Sequence, residues 1–342
     1  MQSIIISESK GKIKFKECLS IIICTKDNER IIERSILATL KALRYLSDKV
    51  NGVNYELIIV YAPSHDNTLV KIKSILNKLW LERSSLIIFD EGKGLGYARQ
   101  LGFSISKCPI VIYADGDKIL TQKWIYIALT KLLADERLAG ISDLPFILGD
   151  SFIAKIRNGY LLAYYIVNSK LKQWFGVSSL HTIRSGNSAW KRKYLKIIGG
   201  FSSRFKKADE DVDVSLRMRE KGLKLDIVNA ISLQSEDHSL KDLVNIFRYQ
   251  GLELNRISLY NKRRDKIKNN AILANASKEL LSQKIYLPLL LIFYPIFSIN
   301  MASYFKDPIL KSLVGIQGVI LWPLFVIIHK LVVAVNYFLL KT

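Results

Sequence analysis

Short runs of consecutive apolar residues alternate with amphipathic stretches along the first part of the chain. Ser20 to Cys24 (SIIIC) is unbroken and rich in β-branched residues, the pattern of a strand covered on both faces. It gives way to the polar loop Thr25-Lys26-Asp27-Asn28-Glu29, after which Ile32, Ile36, Leu40 and Leu43 recur at helical spacing. Tyr55 to Val60 (YELIIV) predicts a second strand, followed by the turn-rich Ala62-Pro63-Ser64-His65-Asp66-Asn67-Thr68. A helix is expected from about Leu69 to Leu81, a third strand over Ser85 to Phe89 and a fourth over Ile110 to Ala114. This alternation predicts an α/β fold with a mainly parallel central sheet, whose ligands bind beyond the carboxyl ends of the strands.

The fourth strand ends in Asp115-Gly116-Asp117. Two carboxylates at the end of a buried strand are costly without a cation to neutralise them. Their oxygens suit a hard divalent ion such as Mg²⁺ or Mn²⁺, with substrate phosphates completing the coordination. An Asp-Gly turn leaving a strand is the plainer alternative. Just upstream, EGKGLGYARQLG (Glu91 to Gly102) combines three glycines with Lys93 and Arg99. Its spacing is neither the dinucleotide fingerprint nor a P-loop. It reads either as a glycine-rich entry to a helix or as a loop that helps hold a nucleotide diphosphate.

Taken in order, SIIICTKDNE, the Ser-x-Asp-x-Thr loop, GKGLGYARQLG and YADGD resemble the inverting family 2 glycosyltransferases of the GT-A fold. RSGNSAWKRKYLKIIGGFSSRFKKADEDVDVSLRMREKGLKL (Arg184 to Leu225) resembles the family's second half, and the likeness spans about Ser20 to His238. It implies that Asp115 and Asp117 hold a divalent ion on the donor's diphosphate, with His238 as a further metal contact. Thr25, Asp27, Glu29, Asp66, Arg99 and Asp115 become donor-binding residues. Asp211, in Glu210-Asp211-Val212-Asp213, becomes the general base that deprotonates the acceptor hydroxyl; clustered acids favour the raised pKa a base needs. The same acids also suit a helix N-terminus. Lys93, Asn187, Glu210 and Arg248 are candidate contacts to diphosphate or acceptor. The chain departs from the family at Tyr61-Ala62, where an Asp-Asp pair is usual, which leaves the nucleotide base open. It also lacks the Gln-x-x-Arg-Trp signature of processive synthases.

Composition changes this picture at the C-terminal end. Ile285 to Tyr304 carries no charge and is long enough to span a bilayer, and a second apolar segment runs from about Leu313 to Leu340. Trp322 and Tyr337 are candidate interface anchors. Lys262, Arg263, Arg264, Lys266 and Lys268 precede the first segment, which places them and the catalytic part on the cytoplasmic side. Ser151 to Phe175 reads as an amphipathic helix for a lipid surface or for packing on the domain. The expected organisation is an N-terminal extension over 1–18, a GT-A domain over 19–260, a basic linker over 261–284 and a two-helix membrane anchor over 285–342. No secretory leader is expected, because Lys10, Lys12, Lys14 and Lys16 interrupt any early apolar run.

The formal net charge of +21 calls for an anionic neighbour. No nucleic-acid recognition module is visible, so nucleic acid is not expected as a partner. Cys18, Cys24 and Cys108 lack metal-ligand spacing and read as buried free thiols. The expected function is metal-dependent, inverting transfer of a sugar from a UDP- or GDP-sugar to a hydroxyl of a membrane-associated, polyisoprenyl-linked acceptor. The alternatives are transfer to a polyisoprenyl phosphate, which needs no base, and a non-catalytic membrane protein that binds nucleotide-sugar.

Overall fold

The computed structural model describes residues 8–9, 12–14, 18–81, 85–149, 151–175, 182–206, 209–234, 314–315 and 317–323. The chain divides into two compact units, one of residues 1–145, 182–218 and 223–233, the other of residues 146–181, 219–222 and 234–342.

The first unit is built on parallel strands. β1 (Cys18–Thr25), α1 (Ile32–Lys49), β2 (Asn54–Tyr61), α2 (Thr68–Lys78), β3 (Ser85–Phe89), α3 (Leu95–Ile105) and β4 (Ile110–Asp115) follow one another as the apolar pattern predicts. Then come β5 (Lys118–Leu120), α4 (Trp124–Ala134) and β6 (Leu138–Ile147). After α5 (Phe152–Phe175) follow β7 (Ser188–Lys191), α6 (Arg192–Ile197), α7 (Glu210–Glu220) and β8 (Lys224–Gln234). Eight strands form one sheet in the order β3-β2-β1-β4-β7-β6-β8-β5. β1 pairs in parallel with β2 and β4, so Thr25, Tyr61 and Asp115 arrive at one edge. β7 runs antiparallel to β4, with Ser188 opposite Tyr113.

Alternation along β1 shows why its run is unbroken. Leu19, Ile21 and Ile23 face a core shared with Ile32, Ile36 and Leu43 of α1, Ile72 and Leu76 of α2, and Trp124 of α4. Ile22 and Cys24 face a second core with Ala98 and Phe103 of α3, Leu195 of α6, and Val214 and Met218 of α7. Both faces are dry, and each fully buried aliphatic side chain contributes about 1.5–3 kcal/mol of transfer free energy.

The cysteines differ from expectation. Cys18 and Cys108 form a disulfide, and only Cys24 is a free, buried thiol. Leu19 pairs with Ile110, so parallel register brings the starts of β1 and β4 together. Sequence spacing carried no sign of this, because the two residues are 90 positions apart.

In the second unit, the Asn158 side chain of α5 donates to the Ile147 carbonyl and accepts from the Ile147 amide, at 2.9 and 2.8 Å. Ala154, Ile156, Leu161, Leu162 and Ala163 are buried, so this half of α5 spends its apolar face on packing. A Cβ at Gly159 would lie 2.0 Å from the Gly318 carbonyl oxygen, a backbone approach that only glycine allows. Among the described residues no helix is long and apolar enough to cross a membrane. The apolar run 285–304 and most of 313–340 lie outside the described residues, as do His238 and Arg248.

Candidate active site

The strand ends and the loops leaving them gather the polar residues of the first unit. The loop after β1 is stitched to the loop after β2 by its own acids. Asp27 Oδ1 accepts from the His65 amide at 2.7 Å, and the Glu29 carboxylate accepts from the Asn67 amide and side chain. Asp66 accepts from the Glu29 amide at 2.9 Å and from the Thr68 amide and hydroxyl at 3.0 and 2.5 Å. The hydrogen bonds from Asn67 hold the Glu29 carboxyl below its ordinary value. Thr25 is buried and meets the Asp-x-Asp turn directly: a Cβ at Gly116 would lie 2.4 Å from its hydroxyl. Thr25, Asp27, Glu29 and Asp66 thus sit together at the expected edge.

The glycine-rich loop serves a purpose that its sequence did not show. The Leu95 and Gly96 amides, at the start of α3, donate to the carbonyls of Lys206 and Phe205 at 2.9 Å. Gly94 has φ +108°, and a Cβ there would lie 2.5 Å from Lys206 Cα; one at Gly96 would lie 2.3 Å from the Ser202 carbonyl. These two glycines let the 202–206 loop pack on the helix start, and those amides are already engaged. Lys93, half-exposed, pairs with Glu91 at 2.6 Å and lies over the Tyr97 ring.

Arg99 joins the two halves of the site. Its side chain is 2% exposed and donates through Nη1 to Asp115 Oδ1 at 2.9 Å and through Nε to Glu210 Oε1 at 3.1 Å. Its carbonyl accepts from the Tyr113 hydroxyl. The other oxygen of Asp115 accepts from Lys118 Nζ at 2.8 Å. Burial alone would raise the Asp115 pKa, but Arg99 and Lys118 outweigh it and hold the carboxyl far below the usual range. Lys118 is itself pushed up, since Asp115 and Asp117 outweigh its desolvation.

Glu210, the first residue of α7, also accepts from the Ser185 hydroxyl at 2.5 Å. Burial and the neighbouring Asp211 charge raise its pKa against the pull of Arg99. Asp211 is half-exposed, and its Oδ1 accepts from the next backbone amide, that of Val212, at 2.7 Å. Asp117 is half-exposed as well.

Asn187 is fully buried at φ +49°, and among the described residues neither end of its amide has a hydrogen-bond partner. A Cβ at Gly186 would meet Asp115 Oδ2 at 1.9 Å and Lys118 Nζ at 2.4 Å, so this backbone roofs the ion pair. Three residues escaped the sequence reading. Lys118 and Ser185 hold the acids in place. Asp143, on β6, is fully buried; desolvation lifts it to about 7 although Ser232, Lys118 and Arg184 draw it down. A lone acid in LAGISDLPFI and a lysine directly after Asp-Gly-Asp were the available signals.

Among the described residues no group of three or more His, Cys, Asp and Glu is placed to hold a metal ion unaided. Asp115 and Asp117 are oxygen donors at this edge, of the kind that a hard divalent ion takes together with phosphate oxygens.

A family model, Glycosyl transferase family 2, matches residues 20–211, more than half of the chain. Among solved structures, the mannosyltransferase PcManGT from Pyrobaculum calidifontis, in complex with GDP-Man and Mn²⁺, is 13% identical. That alignment covers 96% of this chain and 89% of the other, at a TM-score of 0.56. Glucosyl-3-phosphoglycerate synthase from Mycobacterium tuberculosis, in complex with phosphoglyceric acid, is 17% identical over 70% of this chain and 80% of its own, at 0.47. No curated protein sequence matches. At such identities the first likeness speaks for the fold, an α/β GT-A-like architecture.

Proposed function

The chain belongs to glycosyl transferase family 2, and from that premise we propose that it moves a sugar from a UDP- or GDP-sugar to a hydroxyl of a membrane-associated, polyisoprenyl-linked acceptor. It is a nucleotide-sugar-dependent glycosyltransferase; donor, acceptor and setting are the proposal. The observation that carries the reading is the Arg99 bridge. One buried guanidinium sets the Asp-x-Asp strand end against the acidic start of α7, so donor and base residues share one edge.

Asp211 takes the proton of the acceptor hydroxyl as that oxygen attacks the anomeric carbon from the face opposite the departing diphosphate. Displacement in one step inverts the anomeric configuration. Asp211 stands in the first turn of α7, half-exposed, while Glu210 beside it is fixed inward by Arg99 and Ser185. A positioned base of this kind contributes about 10²- to 10⁴-fold. Asp117, with Asp115 beside it, would hold a divalent ion on the donor's diphosphate, and that ion would supply Lewis-acid charge for the leaving group. Thr25, Asp27, Glu29 and Asp66 shape the rim for the nucleotide, with the base open to definition because Tyr61-Ala62 replaces the usual acid pair.

The membrane setting rests on the uncharged run 285–304 and the basic residues Lys262 to Lys268 before it. It places a basic linker over 261–284, an anchor from 285 and the catalytic domain on the cytoplasmic side. His238 is proposed as a further metal contact and Arg248 as a contact to diphosphate or acceptor.

The test is transfer from a panel of UDP-, GDP- and dTDP-sugars by the full chain in lipid, with Mn²⁺ or Mg²⁺, with and without a polyisoprenyl-linked acceptor. Metal-dependent turnover that is lost in both Asp117→Ala and Asp211→Asn supports the proposal. Turnover that survives Asp211→Asn moves the acceptor to a phosphate, and donor binding without turnover under any condition overturns the catalytic reading of this edge.

A further inference from the structure

We infer that Lys118 is a resident cation of the donor site, holding Asp115 in a neutral pair so that a divalent ion enters together with the nucleotide diphosphate and not ahead of it. The inference rests on the donor reading above. The Lys118 ammonium lies 2.8 Å from Asp115 Oδ2, with its side chain 9% exposed. Arg99 occupies the other oxygen at 2.9 Å. The pair is also sterically confined, because the Gly186 backbone packs so closely on both groups that a methyl there would overlap each of them.

The charges decide what an incoming ion meets. Asp115 and Glu210 carry two negative charges, and Arg99 and Lys118 return two positive ones. Asp117 and Arg184 also act on Lys118, Asp211 acts on Glu210, and Lys118 and Arg184 act on Asp143. Of the Asp-x-Asp pair, Asp115 has one oxygen on each of these two cations, so an ion arriving at Asp115 must compete with both. At protein-surface dielectric a unit charge a few ångströms away changes ion affinity by about tenfold or more. A diphosphate brings the missing negative charge with it, so ion and nucleotide strengthen each other's binding by the same factor.

The experiment is a Mn²⁺ titration of the full chain followed by electron paramagnetic resonance, alone and with UDP or GDP, for wild type, Lys118→Met and Lys118→Arg. All are measured at one pH, because Asp143 faces Lys118. The expected wild-type result is weak binding of Mn²⁺ alone, tightened about tenfold or more by the nucleotide it accepts. Lys118→Met should raise the affinity for Mn²⁺ alone about tenfold and shrink the coupling, and Lys118→Arg should keep wild-type behaviour. Wild-type affinity for Mn²⁺ that is equally tight with and without nucleotide overturns the inference. So does a Lys118→Met protein that melts as wild type does and binds Mn²⁺ no better. Lys118→Gln replaces Lys118→Met if the latter does not fold. Failure of both nucleotides to bind would sink the donor reading instead, while the Mn²⁺-only comparison still decides the role of Lys118.

Discussion

Replacing Arg99 by Met is the sharpest probe of the site, because it keeps much of the side chain's volume and removes the charge together with its N–H donors. Arg99 is 2% exposed and stands between Asp115 and Glu210, whose side chains are 17% and 3% exposed. Without it, Asp115 keeps Lys118, whereas Glu210 keeps no cation among the partners that act on it and retains the Ser185 hydroxyl, a backbone amide and the like charge of Asp211. Breaking a buried ion pair by removing one partner costs about 3–5 kcal/mol, since the remaining charge is left desolvated. Glu210 can escape most of that cost by taking up a proton. Its folded pKa, already raised, rises further in the variant, so the folded state binds a proton that the unfolded state has released. Stability then falls as pH rises from the unfolded carboxyl value, about 4.3, toward the raised folded value. The variant should therefore melt only slightly below wild type near pH 5 and about 6–20 °C below it at pH 8, using about 2–4 °C per kcal/mol for a unit of this size. The assay is thermal unfolding of both proteins across that range. A difference below about 2 °C, or one that does not change with pH, would refute the idea that Arg99 compensates a buried Glu210 charge.

Asp211→Asn should lower kcat about 10²- to 10⁴-fold with little change in donor affinity, whereas Glu210→Gln should lower it less and also shift the melting temperature; steady-state kinetics and calorimetric titration separate the two. Gly96→Ala sets a methyl 2.3 Å from the Ser202 carbonyl, a backbone atom that cannot swing away, and should destabilise the protein by about 1–3 kcal/mol in urea unfolding. Asp143, lifted by burial to about 7, gives stability that is complete below about pH 4 and is lost as pH rises toward 7. Asp143→Asn should remove that slope, so that its melting temperature relative to wild type climbs between pH 5 and 7 and then levels off.

The parallel framework was legible because its determinants are local. An unbroken apolar run such as SIIIC means a strand buried on two faces, and the observed strand reaches from Cys18 to Thr25. The carboxyl-edge placement of Asp115 followed from the same logic, and a helix does begin at Glu210. What stayed hidden depends on register between distant segments. The Cys18–Cys108 pairing needs the alignment of β1 with β4, and the strain on Gly94 and Gly96 needs the 202–206 loop against α3. The glycines were therefore noticed for a nucleotide while part of their use lies in packing. Lys118 is not legible in the sequence because a lysine after two aspartates looks like an ordinary solvated charge, whereas in the fold it pairs with Asp115 beneath the Gly186 backbone.

The acids of the site fall into two kinds, and the distinction bears on which of them can do chemistry. Asp115 and Glu210 are each held by buried cations or hydroxyls, and their hydrogen bonds point into the domain. Asp117 and Asp211, each next to one of these in sequence or one residue removed, are partly buried, as Asp115 is, and lack its bonds to Arg99 and Lys118. An inner carboxylate that is already compensated gains little from a ligand, and stripping its partners away is expensive. Asp211, on the same helix as Glu210, and Asp117, in the turn directly after Asp115, inherit that position. This arrangement fixes the geometry of the edge through the inner pair, and the proposed roles of Asp117 and Asp211 rely on that geometry. The order of sensitivity should follow: loss of Asp117 or Asp211 should reduce turnover in a protein that still melts as wild type does, whereas loss of Asp115 or Glu210 should lower stability and turnover together. Parallel melting and transfer assays on the four alanine variants would expose a mistaken division, since equal melting temperatures in all four would mean that the inner acids hold nothing in place.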